Sequence, residues 1–83
     1  MTGRLPWLLP GEEFDGREPD ARLRDALCKY GDQPVAWEIV CDEAGLTRGC
    51  GWCCMNVLCS LKVVKLFDGK QKEGSRWQNC VSN

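Results

Sequence analysis

Two hydrophobic periods divide the chain. Leu23, Ala26, Leu27 and Tyr30 recur at helical steps, with Arg22, Arg24, Asp25 and Lys29 between them. This predicts a first helix from Ala21 to Tyr30, capped by Asp20 and ended by Gly31. Pro34 suits the first turn of a second helix, where its missing N–H has no partner to lose. That helix runs to Ala44, with Val40, Cys41 and Ala44 inward and Gly45 as its left-handed stop. Thr47 is the N-cap of a third helix, Arg48 to Leu61. Its apolar residues lie almost all round, so the polar ones set the phase. Arg48, Gly49, Cys53, Asn56 and Ser60 face out; Gly51, Cys54, Met55, Leu58 and Leu61 or Lys62 face in. After Lys62 the period drops to that of a strand. Val63–Phe67 and Ser75–Asn79 form a β-hairpin across a polar tip, Asp68 to Gly74.

Residues 1–19 carry neither period. They hold three of the four prolines and read as a flexible or loosely docked arm, with Trp7, Leu8 and Leu9 packing on the domain. Residues 20–80 form the domain and 81–83 a tail. A short strand near Gln33–Pro34 pairs with the hairpin. The expected core is Leu23, Leu27, Val40, Cys41, Ala44, Leu46, Met55, Leu58, Val64, Leu66 and Trp77.

Eighty-three residues allow one domain and leave little room for a catalytic cleft. A charged fraction of 28% with 43% hydrophobic residues fits a globule. No apolar run reaches the roughly 18 residues of a membrane span. The start, broken by Pro6 and Pro10, does not read as a secretory signal, so the expected place is cytoplasmic or nucleoid-associated, with no membrane partner. Net charge is only −1, but its distribution is uneven. Residues 1–46 sum to −5 and residues 47–83 to +4, so the basic half can face phosphate while the acidic half faces away.

The segment Cys41-Asp42-Glu43-Ala44-Gly45-Leu46-Thr47 resembles the turn of a helix-turn-helix: a small residue four before a turn glycine, then an apolar residue and a hydroxyl N-cap. With the hairpin Val63–Asn79 following, residues 20–80 resemble the winged helix-turn-helix DNA-binding family, as in small regulators and phage-encoded proteins. The resemblance implies an α+β fold of three helices and a two-stranded wing. It also implies binding of double-stranded DNA by a regulator of transcription or replication, with a homodimer on a palindrome as one arrangement. Thr47, Arg48, Trp52, Cys53, Asn56 and Ser60 are the expected contacts from the third helix, Arg48 and Asn56 at base edges and Thr47 on a phosphate. Lys70, Gln71, Lys72 and Arg76 are those of the wing. One departure stands: the family has branched residues at the core positions that fall on Gly51 and Cys54. Either the helices pack unusually close, or Trp52 and Met55 take those roles. The alternative function is a protein-binding winged helix, a modulator of a larger complex, using Trp7, Leu8 and Leu9 or the third-helix face.

Seven cysteines and no histidine complete the inventory. Cys50-x-x-Cys53 has no second CxxC to complete a zinc site, and an odd cysteine count does not suit a disulfide framework. Cys28, Cys41 and Cys54 read as small buried apolar residues, and Cys53 as an outward thiol. No metal or cofactor is expected. Without a histidine base or a glycine-rich phosphate loop, neither is catalysis.

Overall fold

The computed structural model describes residues 5–69 and 72–80. Three helices, α1 (Pro19–Cys28), α2 (Trp37–Ala44) and α3 (Arg48–Ser60), pack against a three-stranded antiparallel sheet of β1 (Val35–Ala36), β2 (Val64–Asp68) and β3 (Arg76–Asn79). The domain is a small α+β unit, and β3 is its central strand, between β1 and β2.

Helix α1 starts earlier than its apolar spacing indicates. Pro19 occupies the first turn, where its fixed φ and absent N–H cost nothing. Glu18, not Asp20, is the N-cap; the Asp20 carboxylate accepts from the Ala21 amide inside the helix. The helix ends at Cys28, short of Tyr30. Its end is also tied to the sheet: Asn79 Nδ2 donates to the oxygens of Leu27 (3.2 Å), which accepts from the Tyr30 amide as well, and of Gly31 (2.7 Å), beyond the helix. A buried asparagine on the central strand thereby caps the helix packed beside it.

The second helix does not begin at Pro34. Val35 and Ala36 are extended and pair with Trp77 and Arg76, and Trp37 N–H donates to Ser75 O at 3.1 Å. Sheet hydrogen bonds from a distant strand outweigh local helix propensity here. The strand expected at Gln33–Pro34 therefore lies at Val35–Ala36, and with the hairpin it makes a three-stranded sheet.

Gly45 ends α2 in the left-handed region (φ 72°), and the Leu46 amide donates back to Cys41 O at 3.0 Å. Helix α3 follows after three residues, Gly45, Leu46 and Thr47. It ends with Lys62 at φ 63°, where the amides of Lys62 and Val63 donate to Cys59 and Leu58 oxygens at 2.9 Å. That pairing is a Schellman motif with lysine at the position that favours glycine.

The core holds Leu23, Leu27, Val40, Cys41, Ala44, Leu46, Met55, Leu58, Val64 and Trp77, together with Ala26, Val35 and Trp37. Leu66, expected among them, is 47% exposed. It sits on the edge strand β2, where only Val64 is buried and the register shifts between Leu66 and Asp68. On α3, Gly51, Met55 and Leu58 face inward, whereas Leu61 and Lys62 lie past the last turn and are exposed. Gly51 takes its core position by close approach: a β-carbon there would meet the Cys41 sulfur. Cys28 is exposed, not buried, and Cys54 is half-buried.

The arm is fastened at the turn between α2 and α3. Leu8 bridges Leu46, Leu9 N–H donates to Gly45 O (3.2 Å), and Thr47 N–H donates to Trp7 O (2.9 Å). Trp7 packs half-buried on the core, edge-on to Phe14 and within 6.0 Å of the Arg22 guanidinium.

Candidate nucleic-acid interface

Helix α3 and the hairpin enclose a groove of about 190 Å³, lined by Trp52 and Asn56 from the helix and by Leu66, Gly69, Lys72, Ser75 and Trp77 from the hairpin. Trp52, Asn56 and Lys72, singled out in the sequence, are thus brought together. Three indoles make the base of this region. Trp52 stands edge-on to Trp37 (5.1 Å between centroids) and to Trp77 (5.8 Å). The Lys72 ammonium lies over Trp37 and Trp52, at 5.5 and 5.7 Å, a cation–π arrangement. Trp77 Nε1 donates to Ser75 Oγ at 3.0 Å, and that hydroxyl donates to Lys72 O at 3.1 Å, which ties the base of the hairpin to its tip. Trp37 Nε1 is buried without a partner among the described residues.

The remaining expected contacts fall differently. Arg48 is turned back onto α2, where Nη1 donates to Glu38 O (2.8 Å) and Asp42 Oδ1 (3.0 Å). It is half exposed but does not project from the first turn of α3. The amide of Thr47 is taken by Trp7 and its side chain makes no cap bond, so it does not stand as an open phosphate site. Asn56 is exposed, with Nδ2 donating to Trp52 O at 2.8 Å and Oδ1 unengaged among the described residues. Ser60 is exposed and donates to Val57 O. Arg76 pairs with Asp68 at 2.9 Å and lies 5.6 Å from the Phe67 ring. Hydrogen bonds from Arg76 and the Gly69 amide hold the Asp68 carboxyl below the usual carboxylate range. Lys70 and Gln71 lie outside the described residues.

Cys53 is exposed in a second groove, with Cys54, Val57, Pro19 and the carboxylates of Glu18 and Asp20. Burial pushes the Cys54 thiol up to about 11, so it stays protonated near neutrality. Among the described residues no group of three or more potential ligands is placed to hold a metal ion. All seven cysteines are free. A third cavity, between arm, α1 and α2, is lined by Asp15, Arg17, Arg22, Asp25, Lys29 and Glu43. Arg17 pairs there with Asp15 and Asp25, and Lys29 with Glu43, while buried Arg22 reaches Asp15 only at 3.9 Å and its Nη1 has no hydrogen-bond partner among the described residues.

Trp7, Leu8 and Leu9 are half-buried against the turn rather than held out for a partner. The groove residues that sequence reasoning missed are Leu66, Gly69, Ser75 and Trp77. Two of these, Leu66 and Trp77, carried a core signature, and nothing in a strand pattern distinguishes a core face from a groove floor. No helix among the described residues is long and apolar enough to cross a membrane. Comparison with protein-family models, curated proteins and solved structures returns no match for this chain, which leaves the geometry above as the ground for any functional assignment.

Proposed function

We propose that the chain is a small winged helix-turn-helix protein that binds DNA through α3 and the β2–β3 hairpin, in a regulatory rather than catalytic role. The carrying observation is that Trp52 and Asn56 of α3 and Lys72 of the hairpin line one groove. The α2–turn–α3 unit supports the reading, with a left-handed glycine at its turn and a close crossing through Cys41 and Gly51. So does the cationic C-terminal half, in which Lys62, Lys65, Lys72 and Arg76 are all exposed. Lys72 and Arg76 would meet phosphates and Asn56 a base edge. A duplex is the form the family resemblance implies.

A second reading, protein docking, is favoured by one observation: Val57 on α3 and Leu61 at its C-cap are 48% and 63% exposed. They stand one turn apart, and no charge lies between Gly49 and Leu61. A neutral, apolar stripe is the composition of an interface centre.

Fluorescence anisotropy on labelled DNA across about 50–200 mM salt tests the first reading. About four phosphate contacts give a log–log slope of roughly −3 to −4, and Lys72→Ala with Arg76→Ala together flatten it by about 2. Absence of binding at low salt removes the proposal and leaves the docking stripe as the site to pursue.

A further inference from the structure

The groove between α3 and the hairpin has the features of a site for one flat, unpaired ring. Leu66 is left 47% in water while Trp77, its cross-strand partner, is 3% exposed. Facing into the same groove are Trp52, which gives an aromatic surface, and Asn56, whose Nδ2 is held by Trp52 O. That leaves Oδ1 as an acceptor. Lys72 has no carboxylate partner among the described residues, and its ammonium lies over the indoles. Apolar floor, amide acceptor and an ammonium held over the indoles, with no carboxylate partner among the described residues, match the three parts of a nucleotide: ring face, exocyclic N–H and phosphate. The volume of about 190 Å³ is below the roughly 300–1,000 Å³ of sites for drug-sized ligands, which restricts the occupant to a single ring system.

The outer face of α3 points the same way. A helix that reads a duplex by lying in its major groove is normally flanked by cations on its own first turns. Here Arg48 is the only charged residue of α3, and it is drawn back to Glu38 and Asp42. The acids Glu18 and Asp20 border the helix beside Cys53.

We infer that the groove receives one unpaired base, with Lys72 on the adjoining phosphate, so that the protein binds single-stranded nucleic acid in preference to duplex. The inference rests on the nucleic-acid reading above and names the form of substrate. A base in a duplex offers only its edge, whereas a splayed base offers the face that Trp52 and Leu66 can cover.

The test uses the full chain with a mixed-sequence single-stranded oligonucleotide and with its own duplex, followed by anisotropy and tryptophan fluorescence at low salt. The strand is expected to bind at least about fivefold more tightly than the duplex, the low end of what one stacked base contributes, and to quench the tryptophans. Leu66→Ala and Asn56→Ala change exposed side chains, and a thermal melt verifies that each variant folds. Each is expected to lower strand affinity several-fold, and Leu66→Ala to lower duplex affinity less than strand affinity, because a paired base does not offer its face. Equal affinity for strand and duplex without quenching overturns the inference and leaves DNA binding standing. Failure to bind either form overturns both.

Discussion

The sulfur of Cys41 fills the space where a β-carbon on Gly51 would stand, so α2 and α3 cross through a thiol and a bare backbone. Both residues are buried, and the contact fixes how closely the turn at Gly45 can fold α3 back onto α2. Gly51→Ala is therefore expected to destabilise the domain by about 1–3 kcal/mol through overpacking. It does so even though alanine is the better helix former by up to about 1 kcal/mol. Removing the sulfur makes room, so Cys41→Ala combined with Gly51→Ala recovers much of that loss. A double-mutant cycle by urea unfolding measures the coupling, and simple additivity of the two changes contradicts the contact.

Burial also sets the chemistry of Cys41. With no exposed surface, its thiol is pushed from the ordinary 9.0 up to about 12, against a smaller opposing pull from Arg48. The unfolded chain loses this proton near pH 9 and the folded chain near 12. The unfolded state thus holds fewer protons across that interval, and stability falls as pH rises through it. Below pH 9 both states are neutral and Cys41 adds no pH dependence. Unfolding curves between pH 8 and 11 are expected to show the decline, reduced in Cys41→Ala. At neutral pH, alkylation followed by mass spectrometry is expected to label the exposed Cys28 and Cys53 before Cys41.

Much of this architecture is legible in the sequence, and the exceptions share a cause. Thr47, Gly45 and the stripe from Asn56 to Ser60 mark α3 correctly because helix phase is written in local spacing. Pro34 misleads because the pairing of Val35 with Trp77 is made 42 residues away. Leu66 alternates with Val64 like a core residue, yet it lines the open groove between α3 and the hairpin and stays 47% exposed. Arg48 has the sequence position of a base-reading arginine. Its actual partners are the Asp42 carboxylate and a backbone oxygen, Glu38 O, and the second of these no side-chain pattern announces. The packing of the arm follows from its clustered Trp7, Leu8 and Leu9, whereas its fastening through the main-chain groups of Trp7 and Leu9 has no side-chain signal.

Lys62 adopts a left-handed conformation at the end of α3, with both hydrogen bonds of the C-terminal motif in place. A side chain there carries a conformational cost of order 1 kcal/mol that glycine escapes. Lys62→Gly is expected to raise stability by up to about 1 kcal/mol, read as an upward shift of the urea midpoint at unchanged slope. A loss of stability would mean that the turn is not left-handed in solution.

The arm is expected to be part of the folded unit. Trp7 shields the core beside Leu46, and its carbonyl accepts the N-cap amide of α3. Trp7→Ala is expected to cost roughly 1–3 kcal/mol, less than a fully buried tryptophan because the ring is only half covered. Protease cleavage within residues 5–17 is expected to be faster in the variant than in the parent. Equal cleavage rates and equal stability would mean that the arm does not dock.

The claim that α3 and the hairpin form one nucleic-acid-binding face is tested most directly by following backbone amide resonances of the labelled protein during titration with DNA at low salt. The account predicts that the perturbed amides cluster at Trp52, Asn56, Leu66, Lys72 and Arg76. Perturbations confined to α1 and the arm, or none at saturating DNA, would contradict it.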